Sequence, residues 1–188
     1  MYSERKNIFK IDWTLVLVYI FLVGFGLANI LSSSISGENI SLFDFNALYG
    51  KQFIFILLSL LVIIITLTIE VKFYERFSSI FYLVCIFFVL GLFIFGNNIN
   101  GSLSWYSFNN LTIQPSEFMK VGAALAVAKF ISDIQTNMKK LSDQLKLLLI
   151  IMLPIILIIL QNDTGTSIIF FSLFFVLYRE GISQIYLL

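Results

Sequence analysis

Three charged residues fall inside or between long apolar runs, where charge is costly. Glu117 and Lys120 are three residues apart within the stretch 115–131. On a helix that spacing puts them on one face, close enough to pair across a turn. A charge within a membrane span costs about 2.5–3.5 kcal/mol on insertion scales, so such residues are uncommon without a role. Two readings of Glu117 stay open. Gln114-Pro115-Ser116-Glu117 reads as a helix start, with Pro115 at the first position and Glu117 near the positive end of the dipole. It reads equally as half of a functional pair. Lys120, one turn further in, could snorkel, but it stands beside Gly122 and Ala123 on a surface suited to close helix packing. Asp163 lies between two apolar runs and precedes Thr164-Gly165-Thr166. It suits the N-cap of the following helix, or a carboxylate facing an external cavity at a helix start whose first amides can bind anions such as phosphate. The uncharged stretch 97–106 adds amides, hydroxyls and aromatics. Its Trp105 and Tyr106 fit interfacial anchors, or platforms for a sugar or a lipid headgroup.

The rest of the composition narrows the chemistry. The chain has no histidine and one cysteine, which rules out imidazole triads, histidine metal sites and an internal disulfide, leaving carboxylates and lysines as the reactive groups. Cys85 sits in an apolar run and reads as a small packing residue. The residues leave a metal requirement open, a divalent cation included. A net charge of +1 gives no case for nucleic acid binding or a polybasic membrane-surface patch.

The elements that must position these residues are apolar. Of 188 residues, 59% are hydrophobic and 12% charged, too apolar for a soluble domain of this size. The runs predict an all-α membrane protein, a polytopic bundle of about six transmembrane helices forming a single transmembrane domain over 1–188. The expected spans are 13–32, 53–69, 78–95, 115–131, 145–160 and 164–178, the last two separated only by Gln161-Asn162-Asp163. That joint reads as a sharp interfacial hairpin or as two helix ends dipping into the membrane. The first run is longer than a signal-peptide core and lacks a small-x-small cleavage site, so it is read as a retained helix. Of twelve basic residues, ten fall on one side of this topology: Arg5, Lys6, Lys10, Lys72, Arg76, Lys129, Lys139, Lys140, Lys146 and Arg179. The positive-inside rule makes that side, and the N-terminus, cytoplasmic. Loops 33–52 and 96–114 and the Asp163 turn then face outward, and the polar segment 132–144 is a cytoplasmic connection. After Arg179-Glu180-Gly181, Ile182, Ile185, Tyr186, Leu187 and Leu188 begin a further apolar stretch, the pattern expected of the N-terminal part of a longer protein.

Three motifs carry a resemblance. Gly101-Ser102-Leu103-Ser104-Trp105, then Gln114-Pro115-Ser116-Glu117-Phe118-Met119-Lys120, then Leu160-Gln161-Asn162-Asp163-Thr164-Gly165-Thr166 resemble, in order and spacing, the SEDS family (shape, elongation, division and sporulation). Residues 124–129 and 178–181 look more like its RodA elongation branch than its FtsW division branch. The resemblance covers essentially the whole chain. It departs at two places: Asn162 stands where the family usually has proline, which would loosen the turn, and Ser104 where many members have arginine, which removes a candidate cation.

The resemblance implies a glycosyltransferase of peptidoglycan synthesis in cell elongation, in the bacterial cytoplasmic membrane. It would polymerise lipid II, an undecaprenyl-pyrophosphate-linked disaccharide, beside a class B penicillin-binding protein. A sugar 4-hydroxyl would attack an anomeric carbon whose leaving group is undecaprenyl pyrophosphate, which asks for a carboxylate near the hydroxyl and a cation near the pyrophosphate. Glu117, Lys120 and Asp163 match positions the family places around an outward-open cavity, and Trp105 joins them as a substrate-binding candidate. The family runs to about ten spans, with its presumed catalytic aspartate in an external loop of the second half, so no catalytic residue is assigned within these 188 residues. Two other readings stand beside this one: a transporter or flippase of a lipid-linked precursor, and a non-catalytic truncated product.

Overall fold

The computed structural model describes residues 12–34, 47–108, 111–133 and 140–181. Arg5, Lys6, Lys10, Lys139 and the closing stretch 182–188 lie outside the described residues, as does 35–46 of the first predicted external loop. Contacts group the chain into two compact units, Met1–Ile69 and Glu70–Leu188.

The first unit holds two apolar helices, α1 (Trp13–Ser34) and α2 (Leu48–Thr68). Asp12 starts α1, its Oδ1 accepting the Thr14 amide at 2.9 Å, the N-cap bond that spares an orphan donor. No residue of α1 is buried, and α2 buries only Gly50. A helix apolar all round, with nothing packed on most of its surface, suits lipid rather than water. Because α2 starts at Leu48, Lys51 belongs to its first turn and not to a preceding loop.

The second unit contains α3 (Val71–Phe95), β1 (Asn97–Ile99), β2 (Ser102–Phe108), β3 (Leu111–Ile113), α4 (Pro115–Ser132), α5 (Leu141–Leu160), α6 (Thr164–Phe170) and α7 (Ser172–Arg179). Its core follows helical spacing: Tyr82, Cys85, Ile86 and Val89 on α3, Met119, Ala123, Ala126 and Val127 on α4, and Leu147, Ile151, Ile155 and Ile158 on α5. Small residues bring α3 and α4 together. A Cβ on Gly122 would stand 3.4 Å from the Cys85 Sγ and 3.5 Å from the Tyr82 Cα, so the Gly122–Ala123 surface is a close-packing one and Cys85 is a buried packing residue.

Pro154 lies inside α5. A proline there has no amide to give the carbonyl four residues back, and that carbonyl, on Ile150, instead accepts the Tyr82 hydroxyl of α3 at 3.0 Å. Backbone groups in an apolar surround need such a substitute partner, so one bond both repairs α5 and ties it to α3.

Among the described residues four helices, α1, α2, α3 and α5, are long and apolar enough to cross a membrane. The expected six is therefore an approximate count. α4 carries Glu117, Lys120 and Lys129 along its 18 residues, and the last predicted span divides at Phe171 into α6 and α7. Lys72 and Arg76, read as loop residues, lie in the opening turns of α3.

The segment between α3 and α4 is not an irregular loop but a three-stranded antiparallel sheet in the order β1-β2-β3, an addition to the expected all-α fold. Asn100 and Gly101 both have positive φ (54° and 87°), as the favoured two-residue hairpin turn requires. Ile99 pairs with Ser102, yet Asn97 pairs with Trp105, so β2 carries one extra residue. Such a bulge re-aims the side chains beyond it, here Trp105. The Tyr106 hydroxyl donates to the Phe88 carbonyl at 2.9 Å, docking the sheet on α3. Gly91 permits this approach, since a Cβ there would lie 2.5 Å from that hydroxyl. Burial pushes the Tyr106 phenol up from its ordinary value, keeping it a protonated donor.

Candidate functional site at the starts of α4 and α6

Asp163 ends one helix and begins the next. Asn162 takes φ 60°, the left-handed region. Its amide donates to the Ile159 carbonyl (2.9 Å) and the Asp163 amide to the Ile158 carbonyl (3.2 Å), the two closing bonds of a Schellman motif. The expectation that Asn162 loosens this turn is therefore corrected. The turn is closed in a conformation asparagine tolerates and proline, fixed near φ −65°, cannot reach.

The Asp163 side chain then caps α6, Oδ1 accepting the Thr166 amide at 3.1 Å. Its other oxygen accepts from Gln114 Nε2 at 2.8 Å, and the same Nε2 lies 3.4 Å from the Thr166 hydroxyl. Capping and a tie to a second helix therefore coexist in one carboxylate, which stays partly exposed.

Glu117 stands in the first turn of α4, where the helix dipole favours an anion. It also forms the pair its spacing predicts, Lys120 Nζ lying 2.8 Å from its carboxylate. Lys120 is 26% exposed and Glu117 55%. Glu117 thus stands at the helix start and in an ion pair at once. Among the described residues no hydrogen bond or ion pair joins Lys120 to Asp163, so the ammonium is balanced by Glu117 and the Asp163 carboxylate is held by neutral donors.

Gln161 gathers the surrounding elements. Its Nε2 donates to the Val89 carbonyl of α3 at 2.7 Å, and its own carbonyl accepts the Leu103 amide (2.9 Å) and the Ser102 hydroxyl (3.3 Å) of β2. Ser104 is buried against the Ser102 hydroxyl, a depth that suits a small serine. Trp105 follows it in β2, half-buried and opposite Asn97. Among the described residues no hydrogen bond connects Trp105 to Glu117, Lys120 or Asp163. Gln161 Oε1 and the Ser116 hydroxyl are buried with no hydrogen-bond partner among the described residues.

Gln114 and Thr166 were missed as site residues, although Gln114 had a signal. Glutamine is a poor N-cap, and at the N-cap of α4 it makes no side-chain cap bond, leaving its amide for Asp163. A separate apolar cavity of about 640 Å³ lies among Phe81, Phe88, Phe95, Tyr106, Phe108 and Phe118, and none of the four sequence-derived candidates lines it. Among the described residues no group of three His, Cys, Asp or Glu could hold a metal ion.

Comparison with known proteins bears on the whole chain. A family model of FtsW, RodA and SpoVE cell cycle proteins matches residues 12–188. The chain is 28% identical over 174 residues to the peptidoglycan glycosyltransferase MrdB of Escherichia coli K12, covering 92% of this chain and 45% of that protein. It is 27% identical over 168 residues to FtsW of Buchnera aphidicola, named a probable peptidoglycan glycosyltransferase, covering 89% and 44%. The fold is similar to the crystal structure of the rod shape determining protein RodA of Thermus thermophilus, with TM-score 0.80, 23% identity and coverage of 94% of this chain and 56% of that one. It is also similar to a chain of a peptidoglycan synthase complex, with TM-score 0.78, 24% identity and coverage of 92% and 48%. The chain spans less than half the length of the curated relatives it matches. Its apolar helices and bacterial relatives make it a multi-pass bacterial membrane protein. With 12–188 matched end to end and the glutamine, glutamate, lysine and aspartate of the motifs gathered at two helix starts, the chain belongs to the FtsW/RodA/SpoVE family of cell cycle proteins.

Proposed function

We propose that this chain supplies the part of a peptidoglycan glycosyltransferase that receives lipid II, as one membrane domain with its N-terminus in the cytoplasm and the α4–α6 junction at the outer face. The observation that carries the reading is the bond from Gln114 to Asp163 (2.8 Å), which ties the start of α4, with its Glu117–Lys120 pair, to the start of α6. The junction thereby offers a partly exposed carboxylate to a sugar hydroxyl and an ammonium to a pyrophosphate, the two polarities the chemistry asks for. Trp105 serves as a stacking surface beside it. The completing loop, with the carboxylate base of the family, belongs to the second half of the longer relatives, and a class B penicillin-binding protein is the expected partner.

The test is a lipid II assay on a complete-length protein bearing this sequence, together with its cross-linking partner. Glycan strands are expected from the parent, and none from Asp163→Ala or Lys120→Ala variants that still insert in the membrane. Movement of lipid II across vesicles without glycan formation would replace this reading with a flippase. Loss of insertion in both variants would reduce the two residues to capping and packing.

A further inference from the structure

We propose that Gln114 is a positioning residue for the Asp163 carboxylate, and that its neutrality is what the site requires. The inference rests on reading Asp163 as a substrate-contacting group. Gln114 occupies the N-cap of α4, a position where serine, threonine, asparagine or aspartate would bond the helix's own amides. Its side chain makes no such bond. It reaches instead across 49 residues of sequence to Asp163 Oδ2 at 2.8 Å, with the Thr166 hydroxyl as a second, longer contact. Oδ1 is already fixed by the Thr166 amide, so α6 keeps its cap without Gln114. The second bond adds orientation: it restrains rotation of the carboxyl plane, and the carboxylate stays partly exposed. An amide does this without cancelling the charge, whereas a lysine or arginine at 114 would neutralise the acceptor it held. The nearest cation of α4 in the sequence motif, Lys120, is engaged by Glu117, which preserves the separation.

The experiment uses the chain in lipid nanodiscs with two readouts. The first, independent of any ligand, is the 13Cγ resonance of Asp163, assigned by its loss in Asp163→Asn. The second is affinity for added lipid II. Gln114→Leu is expected to move the resonance and weaken lipid II binding about tenfold, the size of one hydrogen bond to a charged group, with the melting temperature nearly unchanged. The exchange Gln114→Glu with Asp163→Asn restores a bond between the two helix starts but moves the charge to 114. It is expected to recover the melting temperature lost in the single Gln114→Glu variant and not the binding. An unmoved resonance in Gln114→Leu would overturn the inference, as would recovery of lipid II binding by the exchanged pair, since either makes the contact merely structural. If the resonance moves but the parent chain binds no lipid II, the positioning of Asp163 stands and the substrate reading falls.

Discussion

Asn162 decides how α5 gives way to α6. Its positive φ (60°) and its amide bond to the Ile159 carbonyl are both denied to proline, which lacks the amide and cannot adopt the angle. Replacing Asn162 with proline is expected to cost about 3 kcal/mol, whereas Asn162→Gly should be neutral or nearly so because glycine enters the left-handed region freely. Chemical denaturation in detergent of the two variants checks this. Equal stability of Asn162→Pro and Asn162→Gly would mean that the turn is not held in the left-handed form. The residue scale is also where sequence reading reached furthest and then stopped. The Glu117–Lys120 pair and the Asp163 cap follow from spacing within one helical turn, and both are present. The Gln114–Asp163 bond joins residues 49 apart, and no local pattern encodes that meeting.

At the scale of elements, the packing stripes of α3, α4 and α5 follow from apolar spacing, but their repair bonds do not. Pro154 was visible as a proline within an apolar run; that Tyr82, 68 residues from Ile150, would supply the missing donor depends on how α3 and α5 pack. Tyr82→Phe should leave the Ile150 carbonyl without its donor, at a cost of about 1–3 kcal/mol. In a Pro154→Ala background the alanine amide can reach that carbonyl, and the same substitution should cost well under half as much. A double-mutant cycle measures the coupling, and equal costs in both backgrounds would contradict the assignment. The sheet between α3 and α4 had a legible signal in Asn100-Gly101, the favoured hairpin turn. Its first strand is only three residues long, and in β2 the bulge at Trp105 breaks the alternation by which a strand is recognised.

For the whole molecule, membrane character was the most legible property, since composition alone enforces it, while the number of spans was not. α4 falls between classes because the charges that suggest function also lower its hydropathy, and Phe171 divides the last segment. Orientation rests on the distribution of basic residues, and it is testable by impermeant thiol labelling in a Cys85→Ser background. A cysteine at Asn100 should react from outside intact cells and one at Lys140 only after permeabilisation; the reverse pattern would invert the topology and place the Asp163 junction on the wrong face for an external precursor. The central claim is that this junction receives lipid II, and its most direct measurement is the saturable retention of lipid II by the chain in nanodiscs. Retention that weakens at least tenfold in both Asp163→Ala and Lys120→Ala, with membrane insertion intact, is the expected result. Equal retention by the parent and both variants would contradict it.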